Sequence, residues 1–305
     1  MIDFSNAPEV APFLTEPKAM YVGAPGKTGY LRLGFELDAN GKSIMRDWER
    51  RVPLIVQQEL YFDEAMPEMP CVYILSSGGP NVDGDRYEQD FTVRKNAFAF
   101  ITTGAATKIA EMRYNYSALT QNFVLEENAY LEYMPEPTIP CRHARLIADT
   151  NIVIDPTATL FYSEIYMGGR KYYKEGELFE YDLLSVCSHA TRPDGTRMFR
   201  EKFIIRPDHL SPSHLGIMAG YDVFANVLIV MPKEHADRLY EKINPYIDRD
   251  ENIAVGVTRL PNDSGLLVKI LGMEPGPVKK LVRGFCSEVR MEIKGKPVPP
   301  EFPWR

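Results

Sequence analysis

The feature that most restricts the fold is a two-residue alternation of apolar and polar side chains, recurring in short runs cut by turn residues. "CVYILSSGG" (71–79) carries β-branched and aromatic residues into a glycine turn. "DFTVRKNAFAFITTGAATKI" (90–109) holds two runs broken at Lys95-Asn96, and "NFVLEENAYLEYMPEP" (122–137) repeats the form with a break at Glu127-Asn128. Side chains that alternate in this way, bounded by Gly, Asn, Asp and Pro, suit pleated half-buried strands. "HARLIADTNIVIDPTATLFYSEIYMGGR" (143–170) and "GELFEYDLLSVCSHATRPDGTRMFREKFII" (176–205) continue the pattern, the second with a Pro-Asp-Gly turn at 193–195. The spacing predicts a mainly β architecture of many successive short strands.

The period changes near the end. "PKEHADRLYEKINPYI" opens with Pro232 and aligns Ala236, Leu239, Tyr240 and Ile243 on one stripe. "PVKKLVRGFCSEVRMEI" opens with Pro277 and aligns Val278, Leu281, Val282, Phe285 and Val289. Both read as helices that bury one face. Between them, "NIAVGVTRLPNDSGLLVKILG" reads as a hairpin around Pro261 to Gly265. No long linker or repeat divides the chain, so the expectation is a flexible leader over residues 1–20 followed by one domain over 21–305.

Composition excludes several functions. A net charge of -7 argues against nucleic-acid binding, which requires a basic face. The acidic, proline-containing start lacks the basic and apolar regions of an export signal. "VFANVLIVM", the longest apolar stretch, is too short for the roughly 20 residues that span a bilayer, so no membrane partner is expected and the location is cytoplasmic by default. The four cysteines, Cys71, Cys141, Cys187 and Cys286, form no CxxC pair, and the five histidines form no helical ligand pair. The cysteines read as small buried apolar residues, and a structural metal cage is not expected.

Residues 26–28, Gly-Lys-Thr, resemble the end of a phosphate-binding loop, but Tyr21 stands where its first glycine is needed. The residues that follow alternate Leu31, Leu33, Phe35 and Leu37 with polar residues or glycine, so a strand replaces the required helix. These letters read as a turn feeding a strand. No GxSxG elbow occurs, and no nucleophile stands with its base, so no catalytic residue is assigned and the chain is not expected to be an enzyme.

Four stretches carry more polar content than packing asks for: "SSGGPNVDGD" (76–85), "TTGAATKI" (102–109), "LEYMPEPTIP" (131–140) and "GGRKYYKEGE" (168–177). Asp83 and Asp85, flanking Gly84, suit either a hard or borderline cation or a glycine turn whose aspartates hold backbone amides. Glu132 alternates with Leu131 and Tyr133 on a strand, where a lone carboxylate is usually solvated.

In this order the four stretches resemble the Gly-Gly turn with its Asp-Gly-Asp, the Thr-Thr strand ending in lysine, the Leu-Glu-Tyr-x-Pro-x-Pro-x-Ile-Pro signature and the Gly-Arg then Gly-Glu element of the urease accessory protein UreD family, also called UreH. "GYLRLGFE" (29–36) and "RRVPLIVQQELYF" (50–62) are similar to its opening segments, and the likeness runs from about residue 27 to the end. The resemblance implies a single β-rich domain, its strands layered in a β-helix-like stack with two helices near the C-terminus. It implies a non-enzymatic scaffold, or chaperone, for metallocentre assembly. A UreF-like partner and, through it, a UreG-like GTPase would join it in a complex that helps nickel reach the active site of apo-urease. No cofactor would be tightly bound, and Ni2+ would pass transiently. The family's proposed internal passage carries over to Asp83, Asp85, Glu132, Glu164 and Glu177, with Lys108 and Arg170 as counter-charges or structural ion-pair partners. As an adaptor without an ion inside, the chain would instead use aromatics such as Tyr114, Tyr116, Tyr172 and Tyr173 as anchors.

Overall fold

The structure is a computed structural model that describes residues 3–15, 26–300 and 302. Alternating apolar residues can be buried only if each strand has a partner sheet, and the chain supplies one by winding. Strands Arg86–Val93, Ser117–Leu125, Arg145–Ile154 and Leu183–Thr191 lie parallel in a seven-stranded sheet. Strands Cys71–Ser76, Phe98–Thr103, Tyr130–Tyr133 and Thr159–Met167 lie parallel in a twelve-stranded sheet. In chain order these strands alternate between the sheets, so successive coils stack as in a β-helix, and the architecture is the mainly β stack expected.

Turn chemistry sets where each coil bends. Asn96 and Asn128 take left-handed backbone angles, with φ of 62° and 57°, at the breaks between runs. Asn128 Nδ2 donates to Asn96 Oδ1 at 3.1 Å, so equivalent corners of adjacent coils are tied together. Asparagine tolerates this conformation better than most residues.

Antiparallel strands close the stack. Thr28–Leu37 runs parallel to Arg86–Val93 and forms a hairpin with Ser43–Arg51 at one edge, while Arg197–Ile205 closes the other. The twelve-stranded sheet continues through Val223–Val230, Gly265–Gly272, Ile253–Arg259 and Tyr246–Asp248, all antiparallel. The hairpin expected around Pro261 to Gly265 is the pair Ile253–Arg259 and Gly265–Gly272.

Three apolar layers result. Between the sheets lie Leu33, Phe91, Phe123, Leu131, Tyr133 and Tyr162, among others. On the far side of the twelve-stranded sheet, α1 (Lys233–Lys242) and α2 (Pro275–Lys294) cover Phe161, Val227, Ile229 and Val268. α2 starts at Pro275, two residues before the expected Pro277, and buries Val278, Val282, Cys286, Val289 and Arg290. Its stripe therefore contains an arginine that the apolar periodicity leaves out.

The third layer lies on the outer face of the seven-stranded sheet. There Phe4 and Val10 pack against Tyr116, Ala118, Ile147 and Leu183. Residues 3–15 thus join the packed body through a 3-10 turn at Pro8–Phe13, whereas residues 16–20 of the expected leader fall outside the described residues. Tyr116, grouped with the anchoring aromatics above, is buried here beneath the Arg86 guanidinium, 4.1 Å from its ring centroid.

Phe123 sits at the centre of the inter-sheet layer, with ring centroids 5.0 Å from Phe91, 5.2 Å from Tyr133 and 5.6 Å from Tyr162. Replacing it with alanine leaves a cavity between two rigid sheets, and we expect a loss of about 3–5 kcal/mol in urea unfolding. A loss below about 1 kcal/mol would show that the sheets collapse onto the gap.

Candidate functional site

The four polar stretches meet at one corner of the stack. Asn81 bridges to Ile109 in parallel, and Thr107–Ile109 pairs with Thr138–Pro140, whose Thr138 pairs in turn with Tyr166. The amide of Arg142, two residues beyond the third stretch, reaches Glu177 Oε2 at 3.3 Å and ties the last stretch to the end of that strand. Glycine is obligatory where the fourth stretch closes on itself: Gly169 has φ of 146°, and a Cβ there would lie 2.0 Å from the Glu177 carbonyl oxygen and 3.4 Å from that of Pro140 in the third stretch. Residues remote in sequence thus form one continuous ladder along a third side of the coil.

This ladder borders a cavity of about 450 Å³ between the sheets. Gly79, Pro80, Asn81 and residues 104–109 line one side, and Pro135, Glu136 and Thr138 another. Inside, a polar column crosses the apolar layer. Gln89 and Gln121 are register partners, as are Gln121 and Thr150. Gln121 Nε2 donates to Gln89 Oε1 at 2.8 Å and to the Tyr133 hydroxyl at 2.7 Å. Its Oε1 accepts from Tyr162 at 3.0 Å and Thr150 at 3.2 Å. The Tyr162 hydroxyl also lies 2.8 Å from Glu164 Oε1, which accepts a bond from Tyr166 at 3.0 Å. Four inward positions on neighbouring strands that alternation would assign to apolar residues, 89, 121, 150 and 164, carry polar ones. That break in pattern is the signal by which Gln89 and Gln121 were findable in the sequence.

Of the five expected carboxylates, Glu164 alone lines the cavity. Burial raises its pKa to about 7, partly offset by the tyrosine hydrogen bonds, and part of its surface stays open to the cavity. Lys108 is exposed and lines the same cavity at its mouth.

Donors within the fold hold the other four. Asp85 is fully buried and accepts from the Lys27 amide at 2.9 Å, the Val82 amide at 3.0 Å and the Tyr87 hydroxyl at 2.9 Å, with Lys27 Nζ 3.1 Å away. The lysine of the Gly-Lys-Thr letters is therefore a carboxylate partner at the start of a strand. Asp83 accepts from the amides of Arg113, Tyr114 and Asn115 at 2.8, 3.3 and 2.9 Å. Of the two readings open for this pair, aspartates that hold backbone amides describe the geometry. Glu177 takes a two-pronged bond from Arg170, 2.8 Å to Nε and 2.6 Å to Nη2, which outweighs burial and lowers its pKa. Arg170 also stacks on Tyr173, 3.8 Å from its centroid.

Glu132 differs most from the solvated strand carboxylate that its position suggests. It is buried on the face of its strand that meets α2, opposite the cavity face that Leu131 and Tyr133 occupy. Arg290 Nε and Nη2 grip its two oxygens at 2.7 and 2.6 Å, and the Tyr130 hydroxyl adds a bond at 2.6 Å. Arg290 Nη1 reaches Asp63 Oδ2 at 2.5 Å, and the other Asp63 oxygen caps the amides of Ala65 and Met66. Burial alone would lower the Arg290 pKa, but the adjacent Glu132 carboxylate raises it above the ordinary value. Glu132 and Glu164 thus lie on opposite faces of one sheet. Among the described residues, none of the five expected carboxylates belongs to a cluster of three or more metal-ligating side chains; the one such cluster is Asp149, Cys187 and His189.

Comparison with known proteins agrees with the sequence signatures. The family model described as UreD urease accessory protein matches residues 27–305. A protein named urease accessory protein UreD 2 from Brucella suis biovar 1 is 47% identical over 299 residues, covering 98% of this chain and 99% of that protein. One of the same name from Brucella abortus strain 2308 is 47% identical over 301 residues, with 98% and 99% covered. A urease accessory protein UreD from Yersinia pseudotuberculosis serotype O:1b is 45% identical over 300 residues, covering 98% of this chain and 93% of that one.

Two outcomes follow from the geometry. Arg290→Ala leaves two buried carboxylates without their shared cation, and urea unfolding is expected to report a loss of about 3–5 kcal/mol. A change under about 1 kcal/mol would mean water reaches the pair. Glu164 keeps its proton in the folded chain up to about pH 7, whereas in the unfolded chain it loses it near 4.5. Between these values the unfolded state binds fewer protons, so this group makes stability fall as pH rises, with no further change above the folded value. Glu164→Gln should flatten that decline relative to the wild type in unfolding midpoints measured from pH 5 to pH 8; parallel curves would place the Glu164 pKa near the ordinary value.

Proposed function

This chain belongs to the UreD urease accessory protein family, and from that premise we propose that it acts as a non-enzymatic scaffold helping nickel reach the active site of apo-urease. Family membership across residues 27–305 carries the reading and implies a part in urease maturation. In the proposed assembly a UreF-like protein binds this chain and connects it to a UreG-like GTPase, which consumes the nucleotide. That division of labour fits a Gly-Lys-Thr segment whose lysine is committed to Asp85.

The cavity beside the four signature stretches is the proposed nickel route, and Glu164 is its carboxylate. Nickel favours imidazole and thiolate, so an oxygen site releases it more readily. Passage requires sites that bind weakly enough to let go. Glu164 meets this condition because tyrosine hydroxyls, rather than a cation, hold it, and part of it faces open space. Its pKa near 7 adds a handle, since binding an ion releases the proton that an empty site retains. Asp83, Asp85, Glu132 and Glu177 enter the proposal as supports: the first two shape the glycine turn, and the last two anchor α2 and the Gly-Arg element.

A second reading, as an adaptor without an internal ion, draws on exposed apolar side chains. Tyr172 is 79% exposed, Ile247 72% and Leu215 83%, while Tyr114 and Tyr173 are also exposed. Such groups suit partner contacts.

Glu164→Gln separates the two readings because it preserves volume while removing the side chain's ability to ionise and coordinate an ion. In cells expressing urease with all accessory proteins, a conduit should lose at least about tenfold in urease nickel content and activity, with co-purification of the UreF-like partner unchanged. Normal activation would leave the adaptor reading.

A further inference from the structure

The outer face of the seven-stranded sheet carries a ligand set outside the proposed nickel route. Period two places Cys187 and His189 side by side on one face of Leu183–Thr191, and parallel register sets Asp149 directly opposite Cys187. One donor atom from each of the three side chains lies within 4.8 Å of the other two. The neighbouring inward residues Val186 and Ala190 are in the apolar layers, so the trio points away from the inter-sheet cavity.

Two further observations point to a ligand here. His189 Nδ1 is closed off from solvent without a hydrogen-bond partner among the described residues, and it stands 3.8 Å from Asp149 Oδ1, too far for a hydrogen bond. Donor atoms bound at about 2.0–2.3 Å around a tetrahedral ion stand roughly 3.3–3.8 Å apart, so small rotations of three side chains on rigid strands would close the set. The trio also borders a groove of about 700 Å³ that Phe4, Ala7 and Arg197 help to line, which leaves room for a fourth ligand. Arg200 Nε donates to Cys187 Sγ at 3.4 Å, so the sulfur accepts on this face; burial, with Asp149 beside it, holds the thiol pKa above its ordinary value, and the arriving ion displaces the proton.

We propose that Asp149, Cys187 and His189 bind one borderline divalent cation, Ni2+ or Zn2+, with the fourth position open to the groove. Thiolate, imidazole and carboxylate together select this class over Mg2+ or Ca2+, which take oxygen donors. Cys187 binds as thiolate and releases its proton to solvent, so ligands of charge -1, -1 and 0 neutralise the ion. The inference stands apart from the passage through Glu164, which lies on the inward face of the other sheet.

The test uses the purified full chain, stripped with chelator and titrated separately with NiCl2 and with CoCl2 as a spectroscopic probe for the tetrahedral site. One equivalent should bind and produce thiolate-to-metal charge-transfer absorption in the near ultraviolet. Cys187→Ser should abolish that band while the unfolding midpoint of the metal-free protein stays close to wild type. His189→Gln and Asp149→Asn should each weaken binding by about tenfold or more. Absence of a charge-transfer band with both metals in the wild-type chain would overturn the proposal, as would a band that persists at full strength in Cys187→Ser. Neither result would bear on activation of urease through Glu164.

Discussion

One buried cation organises the side of the molecule away from the coils. Arg290 joins the second helix, the strand Tyr130–Tyr133 and the loop at Asp63, segments 158 and 227 residues distant from it in sequence. Removing three charges from water costs several kcal/mol per ion, so the network persists only because every prong of the guanidinium finds an oxygen. An apolar contact would let the helix slide along the sheet; a two-pronged grip on Glu132 holds it at one position and angle. The aromatic layer of Phe98, Phe100, Tyr130 and Phe302 around the network keeps water out and makes its bonds strong.

Pleat parity divides the carboxylates of the twelve-stranded sheet. Glu132 is opposite Phe161, and both face the helices; Tyr133 is opposite Tyr162, and both face the other sheet. Glu164, two residues beyond Tyr162, inherits the inward face. A neutral hydrogen-bonded column of glutamines and tyrosines leads to Glu164, while a guanidinium saturates Glu132. The two side chains have the same chemistry and opposite availability, and the difference comes from which layer covers each face.

The signature stretches gain their meaning from stacking. In a coiled chain, residues about one coil apart become neighbours, so a glycine turn, a lysine-ending strand and a proline-rich strand form adjacent rungs. Asp83 and Asp85 hold loop amides there, and Glu177 with Arg170 locks the last rung against Arg142. The backbone of this wall is paired within itself, the Asn81 amide donating to the Lys108 carbonyl oxygen at 2.9 Å and the Thr107 amide to that of Pro137 at 3.0 Å.

Local rules sufficed for much of this protein. Alternation, asparagine breaks and proline starts specify the strands, the corners at Asn96 and Asn128, the late hairpin and both helices, because each depends on neighbours within a few residues. The ordered signature stretches likewise identify the family. Alternation shows that Glu132 and Tyr133 point to opposite sides, but not that a helix 158 residues away covers one of those sides with an arginine. In the same way, the spacing of Cys187 and His189 puts them on one face, while Asp149 joins them only through strand register. Burial, charge pairing and the grouping of ligands are set by which segments the coil and the helices bring together. Those long-range contacts are tertiary, and no local period encodes them.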